Sequence, residues 1–435
     1  MTGVGISHWL APFERDSAIK GLLQHGLIKF DNKRDLPLKS GGKTDIYINL
    51  RDARNNPKAI DFLAKAYANP LLRLDPDCFA EVPDSVSCFA GPLAIRTDKS
   101  YITVREQAKE GRVAKPTVIG AVSRGKKVCI VDDVITDGAS KIPVYRECQE
   151  LGVNILPLVV LVDRQQGWKK KFEEQGIFMD VWAGMTLHDV RRYLIENGIM
   201  QRCDETIEHK NPLIVALDGK SWEEILPIVD QLRTTGCILK VNDLLVYEGA
   251  KNLIPNLQVY GRVMADIKGH DIPNTLGNIS NRFLENPPWA VTVHGSGGEA
   301  MISKVVEIFK KTPTEVLVVT VLTSIDPDTC EEIYHRMPLD QVRVLAAIAK
   351  RAGAHGLVCS PQEVKELKEA YPDMTFVCPG IRSVGADAND QERIGTPEMT
   401  LANGANFLVM GRQILGARDP VAEVMRLLTE EINVL

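Results

Sequence analysis

The segment MADIKGHDIPNT carries charged side chains at a spacing that suits acid–base chemistry. Asp266 and Lys268 lie two residues apart, so both side chains would point to the same face of a β-strand. Asp271 begins the following turn, and Lys240 ends an earlier apolar run. Two carboxylates beside Lys268 would favour its ammonium form against desolvation, which favours the neutral amine. The pattern indicates a positioned proton donor, with Lys240 balancing the second carboxylate, although an isolated D-x-K-x-x-D is also typical of surface ion pairs.

These residues need a scaffold, and the second half of the chain predicts one. Apolar runs that alternate with helical patterns lie at 212–218, 237–242, 260–268, 289–295, 315–324, 356–360, 375–381 and 407–412. Eight such runs predict a (β/α)₈ barrel, which carries its chemistry at the carboxyl ends of its strands. Ser221 and Glu224 form a capping-box pattern that predicts a helix start after the first run.

The length of 435 residues predicts two α/β domains. A polar stretch near residues 200–211 marks the seam, so we expect domains at 1–205 and 211–435. The net charge of −5 indicates neither a nucleic-acid nor a membrane partner. Nine scattered cysteines are typical of reduced core thiols, and neither a signal peptide nor a membrane-spanning run is evident, so the expected location is cytoplasmic.

The strand-like runs also carry a family pattern. The segments LIVALD, LKVN, DIKGHDIPNT, VTVHGSGG, VTVLTS, GLVCSP, PGIR, NDQERIGTP and VMGRQI follow one another at barrel-strand spacing. In these segments, residues 211–435 resemble orotidine 5′-phosphate decarboxylase. The resemblance implies that Lys240, Asp266, Lys268 and Asp271 form the catalytic tetrad. It also implies a homodimer, in which Asp271 and Thr275 reach into the partner subunit's site.

The same resemblance assigns the substrate contacts. Asp218 would bind the ribose hydroxyls, Ser324 would read the pyrimidine ring, and Gln391 and Arg412 would hold the phosphate. The other implied substrate-binding residues are Pro379, Arg382 and Gly411. Neither a metal nor an organic cofactor is implied for this half, because Lys268 would stabilise and protonate C6 directly. Gly269 departs from the family pattern, which has a bulky apolar residue there.

The first half contains a different pattern, KKVCIVDDVITDGAS at 126–140. It predicts a buried strand, two acids and a small-residue turn that opens a helix. Backbone N–H groups in such a turn suit a phosphate, and the acids suit ribose hydroxyls. With LKSGGKTDIYINL (38–50), ITVREQAKEG (102–111) and LVDRQQG (161–167), it resembles the type I phosphoribosyltransferases, and orotate phosphoribosyltransferase in particular, over roughly residues 16–200.

That second resemblance implies its own set of site residues. Lys39 would meet the pyrophosphate, Tyr47 and Arg164 would lie at the orotate, and Arg105 and Lys109 would lie on a mobile catalytic loop. The ribose and 5′-phosphate contacts would come from Asp132, Asp133, Thr136, Asp137, Gly138, Ala139 and Ser140. The substrates would be orotate and phosphoribosyl pyrophosphate with Mg²⁺, since the ion neutralises the leaving pyrophosphate.

The mobile loop departs from the family pattern R-K-x-x-K-x-H-G. Glu106 replaces a cation, the histidine is absent, and Glu81 stands near the expected pyrophosphate loop. Three hypotheses follow. The chain is a bifunctional enzyme of the UMP synthase type, converting orotate to orotidine 5′-phosphate and then to UMP. Alternatively, the first half is a non-catalytic nucleotide-binding or dimerisation module, or the barrel is a relative that uses D-x-K-x-x-D to hold Mg²⁺ for sugar-phosphate chemistry.

Overall fold

The chain folds into two compact units, Met1–Gln201 and Arg202–Leu435. The computed structural model describes residues 5–32, 36–38, 42–104, 118–205, 211–385 and 393–433. Within these ranges, no helix combines the length and the apolar character that crossing a membrane requires.

The first unit is an α/β structure. Its strands are β1 (Ile6–His8), β2 (Ile28–Phe30), β3 (Leu36–Leu38), β4 (Gly42–Thr44), β5 (Ile46–Ile48), β6 (Cys78–Glu81), β7 (Ser100–Val104), β8 (Val118–Ile119), β9 (Lys127–Ile135), β10 (Asn154–Ile155), β11 (Leu158–Asp163) and β12 (Val181–Thr186). Its α-helices are α1 (Pro12–Gln24), α2 (Pro57–Leu74), α3 (Ser87–Thr97), α4 (Ile142–Glu150), α5 (Trp168–Glu174) and α6 (Leu187–Glu196).

One sheet with the strand order β1-β12-β11-β9-β6-β7-β8 forms the middle layer of this unit; among its described strands, β7 and β8 pair antiparallel and the other neighbours in this order pair parallel. Successive residues of β9 enter different cores. Cys129 and Val131 pack in the cluster that contains residues of α1, α2, α3 and α6, whereas Val128 and Ile130 pack in the cluster that contains residues of α4 and α5. Because both faces are covered, the central strands are apolar on both sides. The strand, turn and helix predicted at 126–140 are confirmed by β9 and α4.

The second unit is a closed barrel of eight parallel strands, as predicted. The strands are β13 (Leu213–Ala216), β14 (Ile238–Val241), β15 (Val263–Gly269), β16 (Ala290–His294), β17 (Glu315–Val319), β18 (Gly356–Val358), β19 (Thr375–Cys378) and β20 (Phe407–Met410). The helices are α7 (Trp222–Leu232), α8 (Asp243–Glu248), α9 (Ala250–Gln258), α10 (Pro273–Asn281), α11 (Gly298–Phe309), α12 (Pro327–Tyr334), α13 (Pro338–Arg351), α14 (Val364–Ala370), α15 (Pro397–Ala402), α16 (Arg412–Leu415) and α17 (Pro420–Arg426).

Two local features explain why the barrel closes with these residues. Ile214, Ile238, Met264 and Leu317 belong to one buried apolar cluster inside the barrel. Gly356 permits a close approach of β18 to β19, since a Cβ there would lie 2.3 Å from the carbonyl oxygen of Thr375. The predicted capping box is also confirmed: the Ser221 N–H donates to Glu224 at 2.8 Å, and the Glu224 N–H donates to the Ser221 hydroxyl at 3.3 Å.

Candidate functional sites

A cavity of about 680 Å³ opens at the carboxyl ends of the barrel strands. It brings together nine residues that the sequence singled out: Asp218, Lys240, Asp266, Lys268, Ser324, Pro379, Arg382, Gly411 and Arg412. They come from six different strand ends or the loops that follow them. Such convergence is expected of parallel strands, whose carboxyl ends meet at one rim. Gln391 lies outside the described residues.

Asp266 is the centre of the charged cluster. Its Oδ2 lies 2.6 Å from Lys268 Nζ and 3.1 Å from Lys240 Nζ. Lys240 Nζ also donates to both carboxylate oxygens of Asp218, at 2.7 and 3.0 Å. The sequence suggested two carboxylates around Lys268, whereas within one chain two ammonium groups share the carboxylate of Asp266. Lys240 and Asp266 are 5% exposed, so this pairing occurs largely out of water.

The charges of this cluster stabilise one another against burial. Burial by itself disfavours an ionised carboxylate, but the adjacent Lys240 and Lys268 outweigh it and hold the pKa of Asp266 below its ordinary value. Burial likewise favours the neutral amine of Lys240, but Asp266 and Asp218 outweigh it and raise the pKa of Lys240. Asp266 and Lys240 are therefore both charged at neutral pH.

Two residues assigned to a partner's site lie away from the cavity. Asp271 is exposed, and its Oδ1 accepts the N–H of Ile272 at 2.7 Å. Thr275 lines a second pocket of about 540 Å³, together with Leu245, Val246, Ile279 and other residues. Val246, which lines this pocket, is 89% exposed, and two other apolar side chains nearby in sequence to these residues, Tyr247 and Ile272, are 85% and 67% exposed.

Three features of the barrel site were not found from the sequence. Thr292, on β16, donates its hydroxyl proton to Asp266 Oδ1 at 2.8 Å. Arg393 follows the undescribed segment 386–392 and donates to the carbonyl oxygens of Val321 and Leu322, both at 2.9 Å. That guanidinium therefore lies beside the loop that carries Ser324. The side chain of Leu276 also packs against Gly269, since a Cβ added at Gly269 would lie 2.5 Å from Leu276 Cδ1.

The first unit presents an exposed turn after β9. Thr136, Asp137, Ala139 and Ser140 are exposed, and Asp137 forms a 2.5 Å ion pair with Lys171. Gly138 has a left-handed φ of +80°, and a Cβ there would lie 2.5 Å from the ring of Phe172. A glycine is therefore required for this turn. Its conformation leaves small, exposed residues at the start of a helix, as a phosphate site needs.

The two acids of β9 have different surroundings. Asp132 is 1% exposed and forms a 2.5 Å ion pair with Lys141, whose Nζ also donates to the Val134 carbonyl at 2.7 Å. Burial, and then the neighbouring charge of Asp132, raise the pKa of Asp133 to about 7. Lys141 was not singled out from the sequence. It supplies a counter-ion to Asp132 from within the chain, so the two acids are not equivalent.

The remaining residues predicted in the first unit are only partly described. Tyr47 lies on β5 and Arg164 directly follows β11. The carboxylate of Glu81, at the end of β6, accepts the hydroxyl of Thr103 and is 4% exposed, so it is turned into the sheet rather than displayed to solvent. The other predicted positions, Lys39, Arg105, Glu106 and Lys109, lie outside the described residues.

The fold and cavity of the second unit define a (β/α)₈-barrel protein with a charged site at its carboxyl-terminal rim. Residues 211–427 match the model of the orotidine 5′-phosphate decarboxylase / HUMPS family. The chain is 40% identical over 226 residues to the orotidine 5′-phosphate decarboxylase of Pseudomonas putida (strain W619), covering 51% of this chain and 97% of that protein. It is 38% identical over 220 residues to that of Haemophilus ducreyi, covering 49% and 95%.

A solved structure gives a similar alignment. The crystal structure of orotidine 5′-phosphate decarboxylase from Lactobacillus acidophilus aligns with 34% identity and a TM-score of 0.45, covering 51% of this chain and 99% of that one. On the sequence matches, the chain belongs to the orotidine 5′-phosphate decarboxylase / HUMPS family, with an orotidine 5′-phosphate decarboxylase domain in its C-terminal half.

The lowered pKa of Asp266 predicts a pH-dependent contribution to stability. A depressed carboxyl pKa stabilises the fold above the unfolded-state value, about 4, and this contribution is lost as the pH falls through the lower folded-state value. We expect Asp266→Asn to reduce the free energy of unfolding by about 3 kcal/mol at pH 7 and pH 5, because it leaves the buried Lys240 and the half-buried Lys268 without their shared anion. The difference from wild type should shrink below about pH 4.

Urea denaturation at a series of pH values measures this difference. Asp373→Asn, at an exposed acid of the same unit, is the matched control and should stay close to wild type at every pH. A deficit in Asp266→Asn that is already gone at pH 6, or that persists undiminished at pH 2, would contradict the assignment.

Proposed function

We propose that the barrel decarboxylates orotidine 5′-phosphate to UMP and CO₂. The observation that carries this proposal is the placement of the Lys268 ammonium in one cavity with Asp266, Ser324 and Arg412. The sequence relatives named above support the choice of substrate. A nucleotide fits the chemistry of the rim, which offers a cation to the phosphate, polar groups to the base and a carboxylate near the ribose.

The proposed reaction uses fixed charges. Cleavage of the bond between C6 and the carboxylate leaves an electron pair at C6, which has no ordinary electron sink. The Lys268 ammonium stabilises that pair and then donates a proton to C6, while Asp266, which is itself paired with Lys240, keeps the ammonium in place. Asp218 would bind the ribose hydroxyls. No metal or organic cofactor takes part in these steps.

The phosphate would bind where Arg412 lines the cavity. Arg412 begins α16 just after β20 and lines the cavity together with Arg382 and Gly411. Barrels commonly hold phosphate after their last two strands, where Gln391 also belongs in sequence. Binding energy from this remote group would help to close the site and exclude water from the reacting centre.

A metal-dependent sugar-phosphate reaction is the competing hypothesis for the barrel. A divalent ion would need carboxylate oxygens that are available for coordination. Asp266 Oδ2 instead lies within 3.1 Å of two ammonium groups, and Asp218 binds Lys240 through both oxygens. Cations already fixed at these carboxylates favour the decarboxylase, whose turnover should persist in EDTA.

For the first unit, we propose transfer of the phosphoribosyl group from phosphoribosyl pyrophosphate, with Mg²⁺, to orotate. The exposed turn at residues 136–140 supports a 5′-phosphate contact, and Asp133 supports a contact to the ribose. The product would be the substrate of the barrel, so the chain would perform both steps that lead from orotate to UMP. The turned-in carboxylate of Glu81 favours this activity, because it reduces the repulsion expected for a pyrophosphate.

One contact supports the alternative, in which the first unit binds nucleotide without catalysis or serves in dimerisation. The ion pair with Lys141 occupies Asp132, which the family resemblance assigns to the ribose. An acid that is 1% exposed and already neutralised contributes little to holding an incoming sugar.

We also propose that the protein is a homodimer through the barrel. Val246 lines the same pocket as Thr275, and Ile272 follows Asp271 directly in the chain; both apolar side chains are exposed, as is Tyr247. We infer that these side chains form the subunit contact, since exposed apolar patches commonly mark interaction sites. Two-fold pairing would place the same surface on both subunits.

Lys268→Ala should lower kcat for orotidine 5′-phosphate by at least about 1,000-fold, because it removes both the charge and the proton donor. The Kd for UMP, measured by calorimetry, should remain within about threefold of wild type. Lys310→Ala, at an exposed lysine after α11, is the control and should keep full activity, in EDTA as well. Near-normal turnover in Lys268→Ala would refute the role of this lysine.

The Lys268→Ala variant also isolates the first reaction. Incubated with orotate, phosphoribosyl pyrophosphate and Mg²⁺, it should accumulate orotidine 5′-phosphate, detected chromatographically. Adding Asp133→Asn should reduce that accumulation at least about tenfold, because a ribose ligand is lost, whereas adding Asp98→Asn, at an exposed acid of the same unit, should not. Absence of any orotidine 5′-phosphate would leave only the non-catalytic alternative.

Sedimentation velocity tests the dimer. The full chain should sediment as a species with twice the mass of one subunit, which is 48.1 kDa. Tyr247→Glu should shift the barrel-mediated equilibrium towards monomer and lower turnover, because it places a charge in the apolar surface and withdraws Asp271 from the neighbouring site. Ile333→Glu, at another exposed apolar position of the barrel, is the control. A fully active monomer would contradict the proposal.

A further inference from the structure

Strand β15 is irregular at the charged site. Ala265 pairs with Val291 of β16, but the next paired residue of β15 is Gly269, opposite Val293. Residues 266–268 of β15 thus lie opposite a single residue of β16, which is Thr292. Within this bulge, Lys268 adopts a left-handed φ of +45°. A non-glycine residue keeps such a conformation only where its surroundings hold it.

Thr292 supplies the contact that the regular ladder would otherwise provide. Its hydroxyl oxygen accepts the backbone N–H of Lys268 at 2.9 Å. The same hydroxyl donates its one proton to Asp266 Oδ1 at 2.8 Å, and Thr292 is completely buried. The other oxygen of Asp266, Oδ2, faces both ammonium groups. One hydroxyl therefore contacts the backbone of the proton donor and the side chain of its counter-ion.

We propose that Thr292 is a positioning residue for the decarboxylation, an inference that rests on the function proposed above for the barrel. Its hydroxyl orients the carboxylate of Asp266 so that Oδ2 meets Lys268 and Lys240. It also holds the Lys268 backbone in the bulged conformation that directs the ammonium into the cavity. A displacement of that ammonium by a fraction of an ångström weakens its action at C6, because catalysis by a fixed charge depends on preorganisation.

A second buried threonine shows what a merely structural role looks like. Thr320, just after β17, is also completely buried, and its hydroxyl donates to the Val358 carbonyl at 3.0 Å. It is not among the residues that line the cavity. Replacing either threonine by valine removes one buried hydroxyl at nearly constant volume, so the pair separates a loss of packing or hydrogen bonding from a loss of positioning.

The test compares wild type, Thr292→Val, Thr292→Ser and Thr320→Val in the full chain. Thr292→Val should lower kcat for orotidine 5′-phosphate about 10- to 100-fold with KM within about threefold, and Thr292→Ser should recover most of the loss. The acid limb of the kcat profile should move to higher pH in Thr292→Val, because Asp266 loses a hydrogen bond to its charged form. Thr320→Val should keep wild-type kcat and an unchanged profile.

The outcomes are separable. Wild type without turnover would overturn the proposed function itself. An active wild type with Thr292→Val at normal kcat, or with an equal loss in Thr320→Val, would overturn only the role of Thr292. Folding is checked by circular dichroism and UMP binding. If the valine variant does not fold, Thr292→Ala replaces it, with the same expected loss of kcat, and normal kcat in that variant overturns the role.

Discussion

Asp266 carries its negative charge inside the mouth of the barrel, 2.6 Å from Lys268 Nζ and 3.1 Å from Lys240 Nζ. Removing such ions from water costs on the order of several kcal/mol each, so the cluster persists only if its charges face one another. The strand ends supply them at fixed positions, and the bulge in β15 turns Lys268 towards the cavity. The rest of the barrel keeps these few atoms at fixed positions relative to one another.

The first unit handles buried charge in another way. There Lys141 pairs with Asp132 from within the turn, while burial and the charge of Asp132 raise the pKa of Asp133 to about 7. Because Lys141 already pairs with Asp132, that carboxylate has less capacity for a further contact. The charged side chains of the barrel line its cavity, whereas Asp132 of the first unit is paired with a lysine of the adjacent turn. The reactions proposed for the two units are therefore supported by different contacts.

Much of this architecture follows from periodicity. Eight apolar runs predicted eight strands, because strands covered on both faces are continuously apolar, and parallel topology then brought residues as distant as Asp218 and Arg412 to one rim. The sharing of the Asp266 carboxylate by two lysines could not be predicted from the sequence. The prediction assumed that side chains alternate along a regular β15, and the bulge interrupts that alternation. Thr292 and Lys141 were missed for a related reason: each acts through a contact that neither composition nor spacing encodes, and in both cases the signal was a polar side chain at a buried position.

A crystal structure of the full chain with UMP bound at neutral pH tests the central claim most directly. The account predicts Asp266 Oδ2 within hydrogen-bonding distance of both ammonium nitrogens, with Lys268 Nζ directed at C6 of the base. A carboxylate turned away from either lysine, or a Lys268 side chain that leaves the cavity while the nucleotide occupies it, would contradict the account.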